Sequence, residues 1–300
     1  MNAKKLGMGI GTLGTVITLV AGCGTTNGTS ASNNSSSGSG SGASKTITIG
    51  YITWDEDVAA TYLWKNLLES KGYTVQLQQL DPGPLFAGLS KDNLNVFFDT
   101  WLPDTHKQYI AQYGSQLTSL GKWYQGSTTE GFVVPTYMKN VNSILDLKNI
   151  SNQIQGKIVG IEAGAGETGL AQQAIKDYGL PETLQTSSTP AMLAALKKAY
   201  DAKQPIVVTL WSPHWAFSQY KLKYLSDPKK SFGAGGWIQT EANKNWASSN
   251  PTVVKWLKNF KLTQSQLGQL ETDINNDGDT QGVQEWVSAN QSLVDSWLNS

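Results

Sequence analysis

The chain contains no arginine; all 23 of its basic residues are lysine. A planar, two-pronged grip on a carboxylate or phosphate is usually an arginine task. Any anionic group bound here therefore falls to backbone amides, histidine, lysine or hydroxyls. No run of basic residues is present either, which argues against a nucleic-acid partner. The single cysteine, Cys23, can form no internal disulfide, and neither of the two histidines, His106 and His214, has a cysteine beside it. No metal site is expected from such a set. The body lacks G-x-S-x-G, H-E-x-x-H and a cysteine nucleophile. Neither an enzyme nor a cofactor is expected. Beyond the N-terminus no apolar stretch is long enough to cross a bilayer.

What is abundant is tryptophan, at 11 residues. Three of the 11 follow short apolar runs of β-strand character: Trp54 after TITIGYIT, Trp101 after LNVFFDT and Trp211 after PIVVTL. In open α/β sheets, ligands bind beyond the carboxyl ends of the strands. Aromatic faces delivered there three times suggest a box for a cation that cannot donate hydrogen bonds, such as a quaternary ammonium. Each contact of that kind contributes about 0.5 to 2 kcal/mol when desolvated. Taken singly, any of these tryptophans is an ordinary core residue; their placement after strands is what separates them from Trp256, Trp286 and Trp297, which fall on apolar faces of C-terminal helices.

The N-terminus carries a sorting signal. Lys4 and Lys5 precede the apolar stretch Leu6 to Val20, which ends in Val20-Ala21-Gly22-Cys23. Small residues before a cysteine resemble a bacterial lipobox, with residues 1–22 as signal peptide and Cys23 as the lipidated residue. Residues 23–45 are then the lipidated cysteine and a flexible linker. Residues 24 to 44 are almost wholly Ser, Gly, Asn, Thr and Ala and cannot bury enough apolar area to fold. As a coil this linker spans roughly 25 Å, enough to hold a globular domain off a membrane.

The body reads as β-α-β-α-β-α from Lys45 to Tyr113, which argues for a mostly parallel sheet. Its strands are expected at 45–52, 73–80 and 95–100, with helices at 55–70, 85–89 and 104–113. GFVVPTY (131–137) is an extended stretch broken by Pro135 and looks like a crossover. The α/β order then restarts, with strands at 157–161 and 205–211 and helices at 168–178 and 190–201. Trp237 to Glu241 could be the return strand. The expected architecture is an α/β, bilobal, periplasmic-binding-protein-like fold with a ligand cleft between two α/β lobes. The lobes are 46–134 plus 238–300 and 135–237.

His106 follows Trp101 in WLPDTH and can donate a ring N–H to a ligand carboxylate; a surface or capping role is the alternative. His214 is expected to be structural. Gly164-Ala165-Gly166-Glu167-Thr168-Gly169 matches G-x-G-x-x-G between a strand and a helix. The following strand, Leu184 to Ser188, does not end in the acidic residue a dinucleotide site needs. A glycine loop opening a helix still exposes backbone N–H groups to an anion, which makes Gly166 and Glu167 candidates for a carboxylate. Asp273 to Gln284 begins like a calcium loop, but the twelfth position is Gln284 where Glu is required. An Asn/Asp/Gly turn between helices is expected instead.

On YITWDEDVA (51–59), DPGP (81–84), WLPDTHKQY (101–109), GFVVPTYMKNVNSILDLK (131–148), GIEAGAGETGL (160–170) and LWSPHWAFSQYKLKYL (210–225), the chain resembles the glycine betaine-binding subunits of bacterial ABC transporters, the OpuAC-like group. The resemblance implies two lobes that close on a betaine. Trp54, Trp101 and Trp211 form a prism around the ammonium, while His106 and the amides of Gly166 and Glu167 hold the carboxylate. It also implies an ABC permease as partner and a lipid-anchored extracytoplasmic location, the lipobox and linker fitting a Gram-positive receptor. Glycine betaine is the expected ligand, with proline betaine as a second. A surface sensor or sugar-binding lipoprotein that stacks its ligand on the aromatics is the other reading.

Overall fold

The computed structural model describes residues 45–299, and all of them belong to one compact unit. The lipobox, Cys23 and the linker to Ser44 lie outside the described residues.

The first alternating segment forms β1 (Thr46–Tyr51), and Ile47 and Ile49 are fully buried. Three acidic residues in its first turn, Asp55, Glu56 and Asp57, open α1 (Asp55–Ser70), where negative charge suits the helix dipole. Next come β2 (Thr74–Gln79), α2 (Pro82–Ser90), β3 (Val96–Leu102), α3 (Lys107–Tyr113) and β4 (Leu117–Lys122). The second set runs β5 (Thr129–Pro135), β6 (Lys157–Val159), α4 (Gly166–Tyr178), β7 (Thr183–Gln185), α5 (Thr189–Asp201), β8 (Val208–Ser212), α6 (Ala216–Gln219) and β9 (Leu222–Tyr224). The chain ends with β10 (Trp237–Asn243), α7 (Lys244–Ser249), α8 (Pro251–Asn259), α9 (Gln264–Asp277), α10 (Asp279–Ala289) and α11 (Gln291–Leu298).

Two five-stranded sheets result, ordered β2-β1-β3-β10-β4 and β7-β6-β8-β5-β9. Each has a parallel α/β half, with β1 parallel to β2 and β3, and β6 parallel to β7 and β8. Each is completed by antiparallel pairing: β10, which returns from the second lobe, lies beside β3 and β4, and β5 lies between β8 and β9. This is the expected bilobal α/β arrangement.

Several boundaries differ from the sequence reading. β5 pairs only within the second sheet, so the first crossing precedes Thr129 and the expected lobe limit at 134/135 falls at that strand's end. Pro135 closes β5 against Leu222 and does not mark the crossing. β4 was not anticipated, because LTSLGK has only Leu117 and Leu120 as buried apolar positions. The DPGP turn is absorbed into α2, with Pro82 at its start, where the missing N–H costs nothing. α3 starts at Lys107, three residues later than expected.

The C-terminal helices complete the first lobe. Trp64 of α1 stacks on Phe98 at 6.2 Å and on Trp297 at 6.3 Å, and meets Phe260 edge-on at 5.5 Å. Trp286 stacks on Trp297 at 6.5 Å. These indoles are core, as their helical spacing implied, and Trp256 is partly buried against Tyr73. The calcium-loop-like segment is the junction of α9 and α10. Gly278, at φ 84°, ends one helix and caps the next.

Candidate functional site

The three post-strand tryptophans line a single cavity, together with His106, Gly166 and Glu167. Trp54 is the last residue before α1, whereas Trp101 and Trp211 lie within the final residues of β3 and β8. Both of these strands leave through a cis peptide, Leu102–Pro103 and Ser212–Pro213. The Trp54 and Trp211 rings meet edge to face at 6.3 Å, and Trp54 stacks on the His106 imidazole at 5.7 Å.

Each indole N–H is held by a buried acidic side chain, an arrangement the sequence reading missed. Trp211 Nε1 donates to Glu56 at 2.8 Å, Trp54 Nε1 to Glu162 at 3.2 Å, and Trp101 Nε1 to Asp99 at 2.8 Å. The first two bonds cross between the lobes, from β8 to α1 and from the start of α1 to the loop after β6. The third runs between residues two apart on β3, which share a face. That i, i+2 spacing was visible in the sequence; the two crossing partners, 108 and 155 residues away in the chain, were not. A carboxylate behind an indole N–H fixes the ring's tilt. It also pushes electron density toward the ring face, since hydrogen bonds polarise one another.

Glu162 is well satisfied, accepting also from the Thr189 amide at 2.8 Å and the Thr189 hydroxyl at 3.0 Å at the start of α5. Asp57 accepts the Ile52 amide at 2.8 Å and so pins the loop that presents Trp54. Burial pushes the carboxyl groups of Glu56, Asp57 and Asp99 well above the usual carboxylate range. Their mutual repulsion adds to it. Glu130 also lines the cavity, and burial raises it to about 7, although the Thr105 hydroxyl, which donates to it, opposes the shift. No lysine is among the lining residues. An uncompensated acidic wall behind aromatic faces suits a cation.

The other end of the cavity offers donors. His106 Nδ1 accepts the Trp101 amide at 2.9 Å, so the ring proton sits on Nε2, which is buried and has no hydrogen-bond partner. Burial lowers the His106 pKa to about 3, which keeps the ring neutral and leaves Nε2–H free to donate. Opposite it, α4 begins at Gly166 without a side-chain cap. The first amides of a helix have no partner inside the helix, and Gly166 and Glu167 both line the cavity. Gly166 is required there. A Cβ at that position would lie 2.0 Å from the Thr105 carbonyl oxygen on the other lobe.

His214 does not line this cavity. Its Nδ1 accepts the Ala216 amide at 3.0 Å, and its Nε2 lies 2.9 Å from Asp55, as suits the structural role expected of it. Among the described residues no group of three or more His, Cys, Asp or Glu is placed to hold a metal ion. Nor is any described helix long and apolar enough to cross a membrane.

Comparisons with known proteins agree with this geometry. Residues 45–289 match the family described as the substrate binding domain of ABC-type glycine betaine transport systems. The glycine betaine/carnitine transport binding protein GbuC of Listeria monocytogenes is 39% identical over 156 residues, 51% of this chain and 52% of that protein, so the match spans about half of that relative. The lactococcal OpuAC structure, closed and complexed with glycine betaine, superposes with a TM-score of 0.79 at 34% identity over 84% of this chain and 99% of its own. A glycine betaine/L-proline-binding protein (ProX) from Borrelia burgdorferi does so with a TM-score of 0.79 at 28% identity, over 84% of this chain and 96% of its own. The chain belongs to the family of substrate-binding domains of ABC-type glycine betaine transport systems.

Proposed function

We propose that this chain is the extracytoplasmic receptor of an ABC importer that captures glycine betaine, with proline betaine as a second ligand, and delivers it to the permease. Trp54, Trp101 and Trp211 enclose the methylated ammonium. His106 Nε2–H and the amides of Gly166 and Glu167 hold the ligand carboxylate, which meets the constraint set by the absence of arginine. Cys23 carries the lipid anchor on the outer face of the cell membrane, as in a Gram-positive receptor. The observation that supports this reading best is the meeting of three indoles from both lobes at one acidic, lysine-free cavity.

Ligand bridges the lobes, so it binds the closed arrangement more tightly than the open one and shifts the population toward it. The permease recognises that closed form.

Calorimetric titration of the purified chain with glycine betaine tests the reading. Saturable binding is expected, weakened about tenfold or more by Trp54→Ala, Trp101→Ala or Trp211→Ala, since a desolvated cation–π contact at the upper end of the range, about 2 kcal/mol, corresponds to more than tenfold in Kd. No binding of any betaine, or binding indifferent to all three substitutions, would refute it.

A further inference from the structure

Two acidic side chains lining the cavity, Glu130 and Glu167, hold no indole; Glu130 accepts the Thr105 hydroxyl, and Glu167 is left without a partner. Glu167 is 3% exposed, it lines the cavity, and neither of its carboxyl oxygens has a hydrogen-bond partner. Its amide belongs to the group expected to hold the ligand's tail, so its carboxyl group stands beside that tail.

The groups that face it are almost all acidic or neutral. Glu130 of β5 and Glu56 of α1 line the same cavity, and Glu162 precedes α4. Tyr224 of β9 stands nearby, its hydroxyl engaged with Ser212 and the Thr129 carbonyl. The His106 ring is neutral. The Gly131 amide alone favours a charge on Glu167, and it makes no hydrogen bond to either oxygen. Burial first, and then repulsion from Glu130, hold the Glu167 carboxyl well above the usual range.

Quaternary ammonium compounds present the same head to the indoles but differ in the tail. A carboxylate tail is repelled by an ionised Glu167 and can accept a hydrogen bond from a neutral one. An alcohol tail donates to an ionised Glu167, and a charge-assisted bond of that kind is the stronger. We propose that Glu167 determines which quaternary ammonium compound the cavity holds: ionised, it favours an alcohol tail of the choline type, and protonated, it donates to a carboxylate tail of the betaine type. The inference rests on the reading of the cavity as an ammonium site. Where Glu167 is ionised before binding, capture of a betaine takes up one proton from solvent onto the Glu167 carboxyl; capture of choline takes up none.

The test is calorimetric titration of the full chain with choline and with glycine betaine across a pH series over which the chain stays folded and neither ligand titrates. Glu56, which holds Trp211 at the ammonium head, acts on both ligands alike and cancels in the ratio of the two affinities; Glu130, raised to about 7 and set against Glu167, is removed from the comparison by repeating it with Glu130→Gln carried in both the parent and the Glu167 variants. In the unaltered chain the choline-to-betaine ratio is expected to rise about tenfold or more with pH. In Glu167→Gln it is expected to stay constant. Betaine heats measured in buffers of different ionisation enthalpy should show proton uptake by the unaltered chain at the pH values where the ratio has risen and none by the variant. Glu167→Met, which removes the charge while keeping the length, repeats the test where the glutamine variant fails to fold. A ratio independent of pH in the unaltered chain, or an equal slope in the unaltered chain and in the Glu167 variant, overturns the proposal. If neither ligand binds, or if Trp101→Ala leaves both affinities unchanged, the ammonium reading has failed and the proposal falls with it.

Discussion

A tryptophan that binds a cation must keep one face bare, and something has to hold the ring without covering it. In this cavity the holding is done through the indole N–H. Glu162 and Glu56 each grip an indole that belongs to the other lobe. Replacing Glu56 by leucine leaves the Trp211 N–H buried and unpaired, a loss of about 1 to 3 kcal/mol. Glycine betaine affinity is therefore expected to fall roughly fivefold to a hundredfold, read by calorimetry. The aromatic half of this site was legible because Trp54, Trp101 and Trp211 each follow a recognisable strand. His106 was legible as a donor from WLPDTH, but its tautomer was not. That depends on the Trp101 amide folding back onto Nδ1, a contact made by a turn whose geometry the residue types do not specify. The acidic supports were hidden for a different reason. Glu56 and Glu162 lie far in sequence from the indoles they hold, and an acidic residue early in a helix reads as a dipole partner before it reads as anything else.

α4 meets the 102–106 loop of the other lobe at Gly166, where backbone lies against backbone with no room for a side chain. Nearby, the Tyr109 hydroxyl of α3 donates to the Gly164 carbonyl at 2.8 Å, and Thr105 donates to Glu130. Gly166→Ala is expected to keep each lobe folded but to block this approach. Thermal melting of the unliganded variant should remain close to that of the parent chain. Small-angle scattering should show the variant more extended than the parent in saturating glycine betaine. An unchanged compact profile would argue that α4 does not set the closing distance. The glycine was visible in G-x-G-x-x-G, and so was the exposed helix start. The motif alone did not show that the glycine serves a contact between lobes. The strands on either side of the first crossing were read less well. β5 ends at a proline that suggested a break, and β4 carries too few apolar residues to declare itself. Both are defined by their hydrogen-bonded partners more than by their own pattern.

The two lobes together surround an excess of buried acid that no basic side chain offsets within the cavity. Glu56, Asp57, Asp99, Glu130, Glu167 and Glu271 all have carboxyl groups raised by burial. A raised carboxyl binds more protons folded than unfolded, so its contribution to stability is complete below the unfolded pKa and is lost as pH rises through the folded one. For Glu130 that window runs from 4.5 to about 7. His106 acts in the opposite sense. Its lowered pKa stabilises the fold above 6.5 and loses that effect as pH falls toward about 3. The acids outnumber it, so the unliganded chain is expected to melt at a lower temperature at pH 8 than at pH 5, by scanning calorimetry. Glu130→Gln should flatten the slope between pH 4.5 and about 7. A melting temperature that rises steadily across this range would show that the buried acids are compensated. A permanent cation relieves the same repulsion and so binds more tightly where the acids are ionised; at one fixed concentration of choline the melting temperature should rise more at pH 8 than at pH 5.

The most direct measurement compares glycine betaine with 3,3-dimethylbutanoate, which keeps the shape and the carboxylate but puts carbon in place of the charged nitrogen. Cation–π attraction from three indoles amounts to about 2 to 5 kcal/mol if the contacts add, so the carbon analogue should bind at least about thirtyfold more weakly. Equal affinity for the two compounds would mean that the tryptophans recognise bulk alone, and would contradict the assignment of the cavity as a site for a permanent cation.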